Sequence, residues 1–257
     1  MDLGARLKGR HVLVTGASGG LGEHFARLCA RSGAAVTVGA RRRERLDALV
    51  RDLEAAGAPH ARAIDLDVSD EASVEAGFAA ALDDGAPPLD VVVNNAGVAG
   101  TGHAIDTAAD EFDRVIATNL RGVWLMSGAA ARRWRDAKRP GVIVNIASIL
   151  GHRVVGGTAP YVVSKAGVVQ MTQVLALEWA RFNIRVNALC PGYIETDINN
   201  RFSETEAGQQ MIRRIPMRRL GKPDELDGAF LLLATDASAW MTGSSIAVDG
   251  GHLVSSL

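Results

Sequence analysis

Two side chains spaced one helical turn apart carry the first chemical signal. Tyr161 and Lys165 stand in the run Tyr-Val-Val-Ser-Lys, directly after Pro160. Residues four apart on a helix share a face, and proline suits a first helical turn, so the phenol falls at a helix start. A phenol ordinarily titrates near about 10, too high for efficient acid–base work at neutral pH. An ammonium within about 4–6 Å favours the phenolate and pulls that value down. The pair therefore predicts a phenol that gives or takes a proton near pH 7, against the plainer reading of a solvated helix face. Ser148 ends the apolar run 141–148, where its hydroxyl can hydrogen-bond a carbonyl oxygen and hold it against the phenol. Asn119 interrupts a helical stretch over 108–137, where asparagine is mildly unfavourable, and so marks a kink, a water site or a second helix cap.

These groups need a scaffold that gathers them. The runs 11–16, 34–40, 61–68, 89–97, 141–148, 184–192 and 244–250 are Val/Ile/Ala-rich and nearly unbroken, as strands buried on both faces are. Helical stretches at 21–31, 42–56, 70–82, 108–137, 160–181 and 223–234 alternate with them. That order predicts an α/β fold, a doubly wound Rossmann-type parallel sheet of about seven strands with helices on both faces. No linker interrupts 1–257, so the expectation is a single domain. Ligands of such sheets sit beyond the carboxyl ends of the strands.

The first such end reads Thr-Gly-Ala-Ser-Gly-Gly-Leu-Gly, with Gly16, Gly20 and Gly22. Glycine permits a tight turn and close approach to a phosphate, and the following helix offers free N–H groups to a pyrophosphate. The spacing is neither the common G-x-G-x-x-G fingerprint nor a Walker loop. After the second strand, Arg41-Arg42-Arg43 stands where an acidic residue would accept from an NAD ribose. Guanidinium pairs well with a 2′-phosphate, so Arg41 predicts NADP(H) as the preferred cofactor, with NAD(H) possible.

Together TGASGGLG, Asn94-Asn-Ala-Gly97, Asn119, Ser148, Tyr161-x3-Lys165 and Pro191-Gly-Tyr-Ile-Glu-Thr196, in this order, resemble the short-chain dehydrogenase/reductase family over about residues 8–251. The resemblance implies an NAD(P)-dependent enzyme that interconverts a ketone or aldehyde and an alcohol. It assigns acid/base work to Tyr161, pKa lowering and ribose binding to Lys165, orientation of the carbonyl to Ser148, and a water in a proton relay to Asn119. It implies that Gly16, Ser18, Gly20, Leu21 and Gly22 line the pyrophosphate turn, that Asp67 and Val68 flank the adenine, and that Asn95, Ala96 and Gly97 run along the adenosine ribose. Pro191, Gly192, Ile194 and Thr196 would hold the nicotinamide carboxamide. No metal enters this chemistry. Enoyl-thioester reductases of the family place six residues between Tyr and Lys, and the three found here favour carbonyl chemistry. A catalytically silent nucleotide sensor or scaffold is the alternative, and the presence of Ser148, Tyr161 and Lys165 speaks against it.

The substrate is less legible. Leu150, Val154 and Val155 border the pocket and suit an apolar ketone or secondary alcohol, while His152 and Arg153 offer charge for a carboxylate. The segment 198–216, with Met211, Ile212 and Ile215, reads as a lid. Resemblance to 3-oxoacyl-carrier-protein reductases implies basic docking residues. Arg139 fits one position, but Phe182 beside Arg181 fits the other poorly, which makes a carrier partner doubtful. Members of the family it resembles pair two such helices, here carrying Trp124, Met126, Val168, Met171 and Leu175, and pack a tail such as 252–257 on a neighbour, so the resemblance implies a homotetramer, against the plainer reading of these residues as monomer core. Lys+Arg 28 against Asp+Glu 29 gives a net charge of −1, which points away from nucleic acid. No run is long enough for a membrane span or a signal peptide, and Cys29 and Cys190 suit buried thiols. The expectation is a cytoplasmic protein acting on a small molecule.

Overall fold

The computed structural model describes residues 2–83, 85–100, 102–196 and 205–255. Seven strands form one sheet: β1 (His11–Thr15), β2 (Ala35–Ala40), β3 (Ala61–Asp65), β4 (Val91–Asn94), β5 (Gly141–Ile146), β6 (Ile184–Pro191) and β7 (Ser245–Val248). Their spatial order is β3-β2-β1-β4-β5-β6-β7, and every pairing is parallel. The order reverses between β1 and β4, which opens a crevice at their carboxyl ends. β1, β2 and β4 are buried at every residue, as their unbroken apolar runs require.

The helices are α1 (Gly20–Arg31), α2 (Arg43–Ala55), α3 (Glu71–Ala81), α4 (Ala109–Ile116), α5 (Gly122–Asp136), α6 (Ala159–Trp179), α7 (Glu206–Ile212) and α8 (Asp227–Ala234). One face of the sheet is covered by α1, α2 and α8, where the Phe25 and Phe230 rings stack at 4.4 Å. The other is covered by α3, α5 and α6 around Phe78, Met126, Trp134 and Leu175. Burial of this apolar area is the main stabilising contribution.

Several expected elements are shorter or interrupted. The strand read over 61–68 ends at Asp65, and that over 89–97 ends at Asn94, because the residues beyond turn to form the crevice wall. The stretch 108–137 is two α-helices joined by a π-helical turn at Ala117–Arg121, with the buried Asn119 inside it. The start of the helix read over 223–234 is a 3₁₀ turn, Pro223–Leu226. Residues 197–204, which hold the front half of the expected lid, lie outside the described residues. Behind them Thr205 caps α7 by accepting from the Gly208 N–H at 3.1 Å. Ile215 is a fully buried anchor against Gly250, so it cannot swing over a substrate.

Candidate active site

α6 begins at the carboxyl end of the sheet, because Pro160 fixes its first turn. Tyr161 and Lys165 then face the same side. The Lys165 Nζ lies 5.6 Å from the centroid of the Tyr161 ring and donates to the Ile146 carbonyl at 2.8 Å. Ser148, two residues past β5, has an extended backbone, and its Oγ accepts from the Leu150 N–H at 3.1 Å. Its hydroxyl faces the Tyr161 phenol and draws that group's titration downward. Sequence positions 148, 161 and 165 thus converge on one point.

Electrostatically the pair differs from the expectation of an acidified phenol. Burial pushes Tyr161 above its ordinary value, and the Ser148 hydrogen bond pulls against that shift. Lys165 is only 5% exposed, and burial lowers it to about 8. Tyr161 therefore stands protonated at neutral pH, able to act as an acid.

Asn119 is fully buried, and its amide is bonded at both ends. Oδ1 accepts from the Val98 N–H at 2.8 Å, and Nδ2 donates to the Val98 carbonyl at 2.9 Å and to Ser164 Oγ at 3.1 Å. Ser164 Oγ in turn donates to the Tyr161 carbonyl at 2.7 Å. The residue ties the loop after β4 to the first turn of α6, and the wider π-helical turn gives its side chain room to do so.

The glycine turn interlocks with the loop after β4. Gly16 has φ +66°, and a Cβ there would lie 2.7 Å from the Ala96 Cα. Asn95 Nδ2 donates to the Thr15 carbonyl at 3.0 Å, while Thr15 Oγ1 accepts from the Asn95 and Ala96 N–H groups at 3.0 Å each. The Asn95 side chain thus braces the turn, and a Cβ on Gly22 would collide with it at 2.4 Å. Gly97 lies beside Asn119. α1 starts at Gly20 with no side chain capping its N–H groups, and open space surrounds the Cβ position of Gly20 next to the half-buried Leu21. This cradle fits a pyrophosphate.

Beyond β2 the arginines divide their work. Arg41 is exposed and lies 3.9 Å from Asp67, whose carboxylate is held low mainly by the Ser69 hydroxyl. Arg42 instead reaches back over the turn. Its Nη2 and Nε donate to Ser18 Oγ at 2.9 and 3.1 Å, and its Nη2 lies 3.7 Å from the Gly19 Cβ position, with Arg45 next to it. Arg42 is thus the guanidinium at the phosphate turn, and Arg41, the sequence choice, stands farther out. The i, i+3 spacing of Arg42 and Arg45 at a helix start was the signal available for it. Val68 is buried and packs on Gly122, so it supports the crevice wall from behind.

In the loop expected to hold the nicotinamide, Pro191 ends β6, the Gly192 N–H donates to the Val248 carbonyl at 3.0 Å, and Ile194 bridges to Gly221. Thr196 is half-buried at the end of this loop. Sequence reasoning passed over Tyr193, whose ring lies 5.7 Å from that of His252 and whose phenol raises that of Tyr161. Arg139 stands at the opposite, amino end of β5 and pairs with Asp90 at 3.4 Å, and Arg181 stacks on Phe182 at 4.8 Å just before β6. Neither borders the cleft of its own chain. No group of three metal-ligating side chains occurs among the described residues, and no helix among them is long and apolar enough to cross a membrane.

Comparison with known proteins places this geometry. A family model described as Enoyl-(Acyl carrier protein) reductase matches residues 16–252. An L-rhamnose 1-dehydrogenase (NAD(P)(+)) of Azotobacter vinelandii is 38% identical over 95% of this chain and 96% of its own. A 3-oxoacyl-acyl-carrier-protein reductase of Thermotoga maritima is 37% identical over 97% of this chain and all of its own. A crystal structure of a gluconate 5-dehydrogenase from Burkholderia cenocepacia J2315, in complex with NADP and tartrate, superposes with a TM-score of 0.93 at 32% identity over the whole of both chains.

Proposed function

The chain belongs to the short-chain dehydrogenase/reductase family, and from that premise we propose that it is an NADP(H)-preferring oxidoreductase, with NAD(H) as a poorer cofactor, that interconverts an alcohol and a ketone or aldehyde. The observation that carries the reading is the meeting of Ser148, Tyr161 and Lys165 beside a glycine turn that fits a pyrophosphate. A bound nicotinamide supplies or accepts hydride. This chain's residues do the rest. Ser148 holds the substrate oxygen against the phenol, and Tyr161 gives its proton to the developing alkoxide in reduction or takes it back in oxidation. Lys165 keeps a positive charge below pH 8 under the phenol and the ribose. Asn119 acts as a positioning residue through Val98 and Ser164.

The three residues between Tyr161 and Lys165 favour carbonyl over C=C reduction, whatever the description of the matching family model. The partners proposed are a small-molecule substrate and further copies of the same chain in a homotetramer. The cellular site proposed is the cytoplasm, and 1–257 is read as one domain. Incubation with NADPH or NADH and a panel of ketones, aldehydes, a 3-oxoacyl thioester and an enoyl thioester tests the reading. Expected is carbonyl-dependent oxidation of NADPH with a higher kcat/KM than for NADH. Tight nucleotide binding with no turnover of any carbonyl would favour the sensor alternative, and turnover of the enoyl thioester alone would assign C=C reduction.

A further inference from the structure

Next to the catalytic phenol lies a second cluster that proton transfer does not use. The His252 imidazole is 6% exposed, and its Nδ1 is buried with no hydrogen-bond partner. Tyr193 covers one side of it. Arg153, on the loop between Ser148 and Tyr161, donates from Nη1 to the His252 carbonyl and to Ser255 Oγ, both neutral acceptors. Arg214 comes from the segment behind α7, which packs on the same turn: Pro216 lies against Gly251 and Ile215 against Gly250. Burial, and then the charges of Arg153 and Arg214, hold His252 below its ordinary value. The carboxylate facing it, Asp249, is held by the Gly251 and Leu253 N–H groups at 2.9 and 2.5 Å. Arg153 and Arg214 have no ion-pair partner among the described residues.

Arg214 is exposed and Arg153 half-buried, so water meets part of their charge, but the buried ring nitrogen beside them has no partner, and an anion entering between the three would meet two guanidinium donors and that nitrogen at once. Resting on the oxidoreductase reading above, the geometry points to a carboxylate subsite formed by Arg153, Arg214 and His252, with Tyr193 between it and Tyr161. The substrate class that fits is a small hydroxy or oxo acid. Its reacting carbon lies at Ser148 and Tyr161, and its carboxylate at the guanidinia. Charge-assisted hydrogen bonds of this kind discriminate by roughly 10-fold or more.

The experiment compares acid and neutral partners of the same carbon skeleton in NADP-dependent oxidation: gluconate with glucitol, tartrate with threitol, and lactate with propane-1,2-diol. Expected is a kcat/KM at least about 10-fold higher for the acid in the turned-over pair. Arg214→Gln removes that preference by raising KM for the acid at least about 10-fold. Arg218→Gln, an exposed neighbour on the same segment, changes neither, and it controls for general loss of positive charge. Equal or better use of the neutral partner, or identical effects of the two variants, would overturn the subsite. So would turnover confined to neutral ketones, and that result would leave the oxidoreductase reading standing. Silence on every carbonyl and alcohol would instead remove the oxidoreductase reading and the subsite with it.

Discussion

Lys165 is the residue on which chemistry and stability pull in opposite directions. Its folded value of about 8 lies below the ordinary 10.5, so the folded state disfavours its charged form. The resulting cost is fully present below pH 8 and is relieved as pH rises from 8 to 10.5, where only the unfolded chain holds the proton. The relief is on the order of 3 kcal/mol. Over the same window the site loses its ammonium. We therefore expect kcat/KM for NADPH-dependent reduction to fall through about pH 8 while this group's contribution to stability rises. Lys165→Met should abolish activity and be stabilising at pH 7, and the gain should vanish by pH 10.5 in urea titrations. A gain that does not change with pH would contradict this assignment. The proposed cofactor preference can also be tested at single residues. Arg42→Ala should lower the NADPH/NADH ratio of kcat/KM by at least about 10-fold, and Arg41→Asp by less. The reverse ranking would return the phosphate contact to Arg41.

At the scale of elements, the π-helical turn between α4 and α5 serves one side chain. Asn119→Leu would strand the Val98 N–H and carbonyl, and should cost about 2–4 kcal/mol in denaturant unfolding. It should also slow turnover by loosening Ser164 and the first turn of α6, and a stability within error of the parent would show that the tie is dispensable. Much of this layer was legible in the sequence. The unbroken apolar strands gave a parallel sheet, the Pro160-Tyr161 pair placed a helix start, and the glycine spacing located the tight turn between β1 and α1. What escaped had physical reasons. Strand ends at 61–68 and 89–97 depend on where neighbours stop pairing, which local pattern does not encode. Asn95 bracing the glycine turn is a contact between residues 80 apart. The lowered Lys165 and raised Tyr161 follow from burial, which spacing alone does not report.

For the whole molecule, the outward faces bear on assembly. Met126, Val168 and Leu175, which looked like an association stripe, are core residues 0 to 1% exposed, whereas Trp124 is 52% exposed. With Phe112, Val163, Val174 and Leu177 it leaves a large apolar surface on α4, α5 and α6. Leu177, at 81%, is the point to probe. Leu177→Glu should convert a tetramer to smaller species in light scattering at micromolar concentration, and a parent protein that is already monomeric would refute the assembly.

The most direct measurement is made on Tyr161→Phe, which removes one hydroxyl and keeps the ring. NADPH binding, followed by fluorescence, should stay within a few-fold of the parent, while carbonyl reduction falls by at least about 10²-fold. Reduction at near-parental rates would take the proton away from Tyr161 and with it the proposed chemistry.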